Sequence, residues 1–194
     1  MARLLTALTL AVALLFPAAA GASVAGAQHS HARAATHARL SVRQASLEKL
    51  ARRGPAALAT AVAELYWHAV PCGGQIRVLG DQPVPSSLEY GTDAWVTFNS
   101  SLGQNNLEAS AATYTRCTIS LARWQWPSQR AMEGDWNMFC LTVTHEVGHL
   151  LGYKHTLAPG AVMAPVFTSE SNVPAICRAT RRLGMIIAGP ARTR

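Results

Sequence analysis

The chain has 194 residues and a formal net charge of +7, from 17 basic and 10 acidic residues. This charge is not spread evenly along the sequence. Residues 28–53 contain six basic residues and one acidic residue, whereas the part from position 54 onward has a net charge of only +1. A nucleic-acid-binding surface needs clustered positive charge on the folded part of a protein. The composition therefore gives no support for a nucleic-acid partner.

The amino end has the features of a secretion signal. Arg3 supplies a positive start, and residues 4–16 form an apolar run of thirteen residues. A helix that spans a bilayer needs about 20 apolar residues, but the shorter run is typical of a signal-peptide core. Small residues then offer a cleavage site after Ala27, with Ala22 as the alternative. We expect a signal peptide over 1–27, an extracellular location and no stable membrane anchor; an uncleaved anchor is the alternative.

Residues 28–53 are rich in Ala, Arg, His and Ser and contain little that could form a core. We predict a disordered spacer or a short pro-segment over this range. Within it, Leu40, Leu47 and Leu50 suit a short helix over residues 40–53.

A folded domain is predicted over residues 54–190, which is long enough to build one core. Pro55 suits the first turn of a helix. The apolar face of that helix is predicted from residues at helical spacing, namely Leu58, Val62, Leu65, Tyr66 and Ala69. Alternating apolar residues then predict strands at 94–98 and 113–123, and a further strand is expected at 75–79. Loops are predicted at 80–87, which is rich in Pro, Gly and Ser, and at the polar stretch 99–110. A last helix at about 174–187 is expected to close the domain.

The stretch from His145 to His155 holds three histidines, one glutamate and one glycine. His145 and His149 are four residues apart, so on a helix their side chains leave the same face with Cβ atoms about 5–6 Å apart. That separation suits two nitrogens that bind one Zn²⁺ at about 2.0–2.1 Å. Glu146 follows the first histidine and can reach a water on the metal without being a ligand itself.

His155 can join the other two histidines only if the helix ends before it. In a continuous helix it would be rotated by about 600° from His149 and would point to the far side. Gly152 can end the helix, because glycine takes the left-handed conformation at little cost. Three protein ligands leave a fourth position for water, which is typical of a catalytic rather than a structural zinc.

This helix is expected to begin near Asp135, whose side chain can cap exposed amides. Trp124, Trp126 and Trp136 precede the histidines and either line the approach to them or pack in the core.

The pattern HExxHxxGxxH followed by a methionine turn is the signature of the metzincins. Residues 156–165 continue as Thr-Leu-Ala-Pro-Gly-Ala-Val-Met-Ala-Pro, which resembles the matrixin branch of that family. Thr156 stands where matrixins have serine and keeps the hydroxyl group. The residue two positions after Met163 is Pro165, not the tyrosine that is an extra ligand in astacins and serralysins.

The resemblance implies a role for each of these residues. His145, His149 and His155 would be the ligands of one catalytic Zn²⁺, and Glu146 would be the general base. Met163 would form the hydrophobic floor beneath the metal.

The resemblance also implies the fold class. We expect an α+β, minimal metzincin-like (zincin) domain with a small twisted mixed sheet, a backing helix, a zinc helix, a Met-turn and a carboxyl-terminal helix. Pro165 and Phe167 would wall the pocket for the substrate side chain beyond the scissile bond. In metzincins the strand at the rim of the cleft pairs with the extended substrate, and either the second or the third predicted strand suits that position.

Four cysteines behind a secretion signal indicate disulfides, and four allow three pairings. We favour Cys72–Cys117, between the exit of the first helix and a strand, and Cys140–Cys177, between the zinc helix and the last helix. Pro71-Cys72-Gly73 also resembles the pro-peptide cysteine that keeps matrixins latent. That cysteine precedes the domain, however, whereas Cys72 follows its first predicted helix.

The sequence thus predicts a secreted, monomeric zinc metalloendopeptidase that hydrolyses protein or peptide substrates with a zinc-activated water. One alternative is a secreted zinc-containing binding module whose catalysis has lapsed. The intact Glu146 argues against it, since decayed sites usually lose the base first. Another is a pro-form that residues 28–53 hold inactive.

Overall fold

A computed structural model describes residues 44–106, 109–158, 160–167 and 172–186. The predicted signal peptide, most of the predicted 28–53 segment and the end of the predicted 54–190 domain lie outside these ranges. Within them, no helix combines the length and the apolar character needed to cross a membrane.

The described part of the chain is an α+β fold, as the sequence predicted. Its helices are α1 (residues 44–51), α2 (Pro55–Trp67), α3 (Gln129–Gly134), α4 (Trp136–Leu150), α5 (Ala175–Ala179) and α6 (Arg181–Ile186). Its strands are β1 (Ile76–Gln82), β2 (Ala94–Ser100), β3 (Gly103–Gln104) and β4 (Thr115–Ala122).

The strands form one mixed sheet in the order β1-β4-β2-β3. β1 and β4 are parallel, while β2 is antiparallel to both of its neighbours. The last long strand in sequence therefore lies inside the sheet and is paired on both sides. Accordingly, Cys117, Ile119 and Leu121 of β4 have no exposed surface.

Helices α2 and α4 pack against each other, and α4 also packs on β2. Pro55 begins α2 after Gly54, whose φ of +117° suits glycine. The buried face of α2 includes Leu58 and Val62, as predicted, but its other members are Pro55, Ala59 and Ala63. Small side chains on this face allow α4 to approach closely.

Three parts of the sequence prediction were wrong in detail. The predicted loop 80–87 begins too early, because β1 continues to Gln82, which pairs with Ala122 across a bulge. The predicted loop 99–110 contains the end of β2 and the short β3, which pair as a hairpin. The single last helix is two helices, because the chain leaves helical geometry at Thr180, whose hydroxyl donates to the Ile176 carbonyl.

Residues 44–51 are helical, within the range 40–53 for which a short helix was predicted. Ala51 is buried in the main core, and Leu47 packs against that core from a partly buried position. Helix α1 thus contributes apolar contacts to the same core as α2.

Two disulfides cross-link the fold, Cys72–Cys117 and Cys140–Cys177, and the described residues include no free cysteine. This is the pairing favoured from the sequence. The first bond joins the turn after α2 to the central strand β4, so Cys72 is not available as a latency cysteine. The second joins α4 to α5.

Replacing both Cys72 and Cys117 by alanine should lower the free energy of unfolding by about 2–4 kcal/mol, because a bond across 45 residues restricts the unfolded chain. Guanidinium unfolding followed by circular dichroism, with a chelator present to remove any contribution from bound metal, would measure this. A change below about 0.5 kcal/mol, the range of neutral surface substitutions, would contradict the prediction.

Candidate metal centre

Helix α4 begins where the sequence predicted, with Asp135 as its N-cap. The Asp135 carboxylate accepts a hydrogen bond from the backbone N–H of Met138 at 3.4 Å. Most of the helix is buried, including His145 and Glu146. His145 and His149 leave the same face of the helix, with ring centroids 4.6 Å apart.

The helix ends at Leu150, and Gly152 takes a left-handed conformation with a φ of +88°. The chain then turns back, so that His155 approaches the two helical histidines. The three Nε2 atoms lie 3.0 Å apart for His145 and His149 and 3.2 Å apart for each of the two pairs with His155. The structure therefore brings together the three histidines that the sequence singled out.

Backbone carbonyls orient two of the three rings. The Nδ1 of His145 lies 2.8 Å from the carbonyl oxygen of Val162, and the Nδ1 of His149 lies 2.9 Å from that of Tyr153. A carbonyl can only accept, so each Nδ1 carries the proton and each neutral ring has a lone pair on Nε2. The Nε2 atoms of His145 and His149 therefore face each other as acceptors.

Burial favours these neutral rings. It lowers the pKa of His145 to about 4, although the bond to Val162 opposes the shift, and the nearby His149 and His155 lower the pKa further. Burial likewise lowers the pKa of His149 below its usual value. Both rings thus present lone pairs at neutral pH, which is the form that binds a metal ion.

The donor set fits a zinc ion. A tetrahedral Zn²⁺ with Zn–N bonds of about 2.0–2.1 Å requires nitrogens about 3.3 Å apart, close to the 3.0–3.2 Å between the Nε2 atoms. Among the residues the structure describes, this is the one group of His, Cys, Asp or Glu side chains whose ligand atoms converge in this way. Neutral imidazoles held by a carbonyl acceptor on the other ring nitrogen are typical zinc ligands.

Glu146 is buried beside the first histidine. Burial raises the pKa of Glu146 to about 8, and the charge of Asp93, the residue before β2, adds to the increase. Burial also raises the pKa of Asp93 itself. A positively charged ion at the histidines would oppose the shift at Glu146, because it favours the carboxylate form.

Residues 72–176 match the family model described as Matrixin. The chain belongs to the matrixin family. No curated protein and no solved structure matches it. Matrixins are zinc metallopeptidases that act on proteins or peptides, and the small mixed sheet with its helices is a minimal form of their domain.

In this matrixin the turn that contains Met163 packs directly under α4. Met163 is 5% exposed, and its sulfur lies against Gly148, between the two helical histidines. The backbone N–H of Thr156 donates to the Met163 carbonyl at 2.9 Å, which ties the turn to the residue after His155. The carbonyl of Val162, one residue earlier, is the acceptor for His145.

The two predicted pocket residues lie in different surroundings. The Phe167 ring meets the His145 ring edge-on, with centroids 5.3 Å apart. Pro165 is exposed on the surface. Of the tryptophans, Trp126 and Trp136 are core residues, whereas Trp124 is 57% exposed.

The sequence left open whether the second or the third predicted strand forms the rim, and the sheet order distinguishes the two. The third predicted strand, now β4, is central and cannot rim a cleft. β2 pairs with β4 on one side, and on its other side β3 pairs only with Asn99 and Ser100. Within the described ranges, residues 94–97 have no strand on that side, and β2 packs on the zinc helix.

The free backbone groups on this edge follow from the antiparallel alternation. The carbonyl of Asp93 accepts from Ala122 of β4, whereas Phe98 exchanges hydrogen bonds with Asn105 on the opposite side. The N–H and C=O groups of Ala94 and Val96 therefore point away from β4, into the open side of the edge.

Sequence reasoning missed the groups that support the three histidines: the carbonyls of Tyr153 and Val162, the close approach at Gly148, and Trp67. Gly148 gave a signal, because a glycine inside a helix costs about 1 kcal/mol relative to alanine and so indicates close packing. The two carbonyls gave none, since any residue supplies one.

Gly148→Ala should lower the free energy of unfolding by about 1–3 kcal/mol, the usual cost of overpacking. The added methyl group would overlap the Met163 sulfur and lie 2.9 Å from the Trp67 ring. Gly134→Ala is the matched control, because a methyl group on that helical glycine meets nothing within 4 Å. Equal urea unfolding midpoints for the two variants would contradict the close packing.

Proposed function

We propose that this matrixin is a secreted zinc-dependent endopeptidase. His145, His149 and His155 are assigned as the ligands of one catalytic zinc ion, and Glu146 as the general base. The observation that carries the proposal is the convergence of three Nε2 atoms within 3.0–3.2 Å. Two of these atoms are lone-pair donors by virtue of the carbonyls bound to their Nδ1 atoms.

When bound there, zinc would polarise the scissile carbonyl and lower the pKa of a coordinated water towards about 7. The three histidines use only three of the four positions that zinc prefers, and so leave one for water or substrate. The carbonyls of Val162 and Tyr153 keep the rings of His145 and His149 from rotating. This fixed geometry supports catalysis, because ligands that are already oriented need not reorganise during the reaction.

Glu146 is the group of this chain that moves the proton. Its carboxylate accepts a proton from the attacking water and then donates it to the leaving amine. It follows His145 directly in α4 and lies in a buried setting near the start of β2. A buried carboxylate that is not itself a ligand suits this task, since nearby solvent does not compete for its proton.

The open edge of β2 is the proposed site for the substrate backbone. An extended peptide that adds to this edge would accept hydrogen bonds from the N–H groups of Ala94 and Val96 and donate hydrogen bonds to their C=O groups. Asn105 closes the ladder at Phe98, which limits the pairing to the part of β2 that lies nearer to Asp93 and Glu146. Phe167, beside His145, is the proposed wall of the side-chain pocket, with Pro165 at its surface.

Secretion is proposed from the amino-terminal sequence and is supported by the two disulfides, since such bonds persist in oxidising compartments. We also keep the assignments of a pro-segment within residues 28–53 and of a monomeric enzyme as proposals. A size measurement on the secreted protein, together with its amino-terminal sequence, would test all three.

Glu146→Gln should retain zinc but lower kcat/KM for a quenched fluorescent peptide by at least about 10²–10⁴-fold, because it removes the proton acceptor while keeping the side chain's shape. His149→Ala should lose both tight zinc binding and hydrolysis. Metal analysis after dialysis, together with peptide assays, would measure both effects. The wild-type protein, stripped with a chelator and given zinc again, is the control.

Normal turnover by Glu146→Gln would refute its role as base. A wild-type protein that binds zinc but cleaves neither casein nor a peptide library would favour the lapsed binding module instead.

Val96→Pro should reduce kcat/KM by roughly tenfold, because it removes one hydrogen bond to the substrate backbone. The fold should be retained, since proline is tolerated where the N–H of an edge strand faces outward. Thr97→Pro is the contrasting variant: its N–H faces β4, so this change should lower the unfolding temperature. Unchanged kinetics for a folded Val96→Pro protein would remove β2 as the substrate edge.

A further inference from the structure

The loop after the helix break supports two of the three histidines. His149 donates its Nδ1 proton to the carbonyl of Tyr153 at 2.9 Å, and His155 lies two residues further along the same loop. Tyr153 is itself bonded to the helix through its N–H, which donates to the Gly148 carbonyl at 3.0 Å. The position of Tyr153 therefore affects the orientation of His149 and the path of the chain to His155.

Trp67, the last residue of α2, contacts both the zinc helix and this loop. Its ring stacks on the Tyr153 ring, with centroids 4.5 Å apart and planes 21° from parallel. Its indole N–H donates to the carbonyl of Thr144 at 2.8 Å, one residue before His145. Its ring also packs beside Gly148, at the middle of the histidine motif. Two contacts thus fix the indole to α4, and the third holds the loop.

The stack is not explained by core packing. Tyr153 is 51% exposed, and residues 152–158, which surround it in sequence, are all exposed. A half-exposed ring buries little apolar area compared with a core side chain. What the stack restrains is the backbone of Tyr153, whose carbonyl holds His149.

We propose that Trp67 and Tyr153 form an aromatic clamp that positions His149 and His155 for the metal. The clamp consists of these two side chains alone, and it acts through the backbone carbonyl of Tyr153 and not as a ligand of the ion. The inference rests on the proposed function, because it takes the histidines to be zinc ligands. Outer partners that orient ligands typically change metal affinity by about 10–100-fold when they are removed.

Tyr153→Ala should raise the zinc dissociation constant about tenfold or more, because it removes the stack that orients His149 and His155 while all three histidines remain in the chain. Tyr153→Phe keeps the ring and should remain within about twofold of the wild-type value. Tyr90→Ala is the matched control, because Tyr90 is a fully exposed tyrosine elsewhere on the surface, and it should have no effect. Competition with a chromophoric chelator on the purified protein measures the constants.

A second measurement separates positioning from general stability. The visible spectrum of the cobalt-substituted protein reports ligand geometry, and it should change in Tyr153→Ala but not in Tyr153→Phe. A purely structural role would lower the unfolding temperature of the metal-free Tyr153→Ala protein and leave its zinc affinity and cobalt spectrum unchanged. That result would overturn the clamp.

Trp67→Phe tests the other residue of the clamp, since it keeps an aromatic ring but removes the hydrogen bond to the Thr144 carbonyl. It should weaken zinc binding by less than Tyr153→Ala does. If Tyr153→Ala binds zinc as tightly as the wild type, the clamp is refuted and the proposed peptidase stands. If the wild-type protein itself does not bind zinc, both proposals fail.

Discussion

Three imidazole rings whose Nε2 atoms converge on one point are the constraint on which this structure depends. The Nε2 atoms of His145, His149 and His155 lie 3.0–3.2 Å apart, and those of His145 and His149 meet as two acceptors that repel each other. Two of them cannot relieve the repulsion by sharing protons, because their Nδ1 protons are already donated to carbonyls. Burial also disfavours the charged forms of His145 and His149. A cation at the centre of the cluster would relieve this repulsion, and the surrounding frame keeps the rings in place.

The three histidines differ in burial, from His145 in the core to His155 at the surface. His145 is buried in a helix that a disulfide at Cys140 cross-links to α5, and the Trp136 indole strengthens this end by donating to the Cys177 carbonyl at 2.9 Å. His149 is partly buried and depends on a carbonyl from the loop. His155 is exposed and depends on the loop itself. The core thus fixes His145, while His149 and His155 rely on local contacts in the loop.

Much of this site could be predicted from the sequence because its determinants are local. The i, i+4 spacing of His145 and His149 fixes their common face, and Gly152 provides the one break that returns His155. The start of α4 at Asp135 is likewise a local signal. The support from Val162 could not be predicted, because its carbonyl lies 17 residues from His145 and carries no side-chain signature. Trp67 lies 77 residues from its partner Thr144, and only the packing of α2 on α4 brings the two together.

In the sheet, too, local features could be predicted from the sequence and long-range pairings could not. β2 and β4 were recognised from their own alternation, but the order of strands depends on pairings between distant segments. β2 and β4 both alternate, so periodicity did not distinguish the edge from the centre. The burial of Ser120 and Ala122, on the opposite face from Ile119 and Leu121, agrees with the central place of β4, since a central strand is covered more completely. The sequence of residues 120–122, Ser-Leu-Ala, indicates burial on both faces only weakly, because small residues also occur on exposed strands.

If zinc occupies the histidines, it acts as a third cross-link beside the two disulfides. Cys72–Cys117 joins the end of α2 to β4, and Cys140–Cys177 joins α4 to α5. Neither bond reaches the segment from Gly152 to Met163. Its first residues are tied to α4 by the N–H groups of Gly152 and Tyr153, which donate to the carbonyls of His149 and Gly148, whereas the bond from Thr156 to Met163 lies inside the segment. Metal ligation by His155 would close this segment onto α4. Because ligand binding stabilises the state that binds, the metal would order the same residues that orient it.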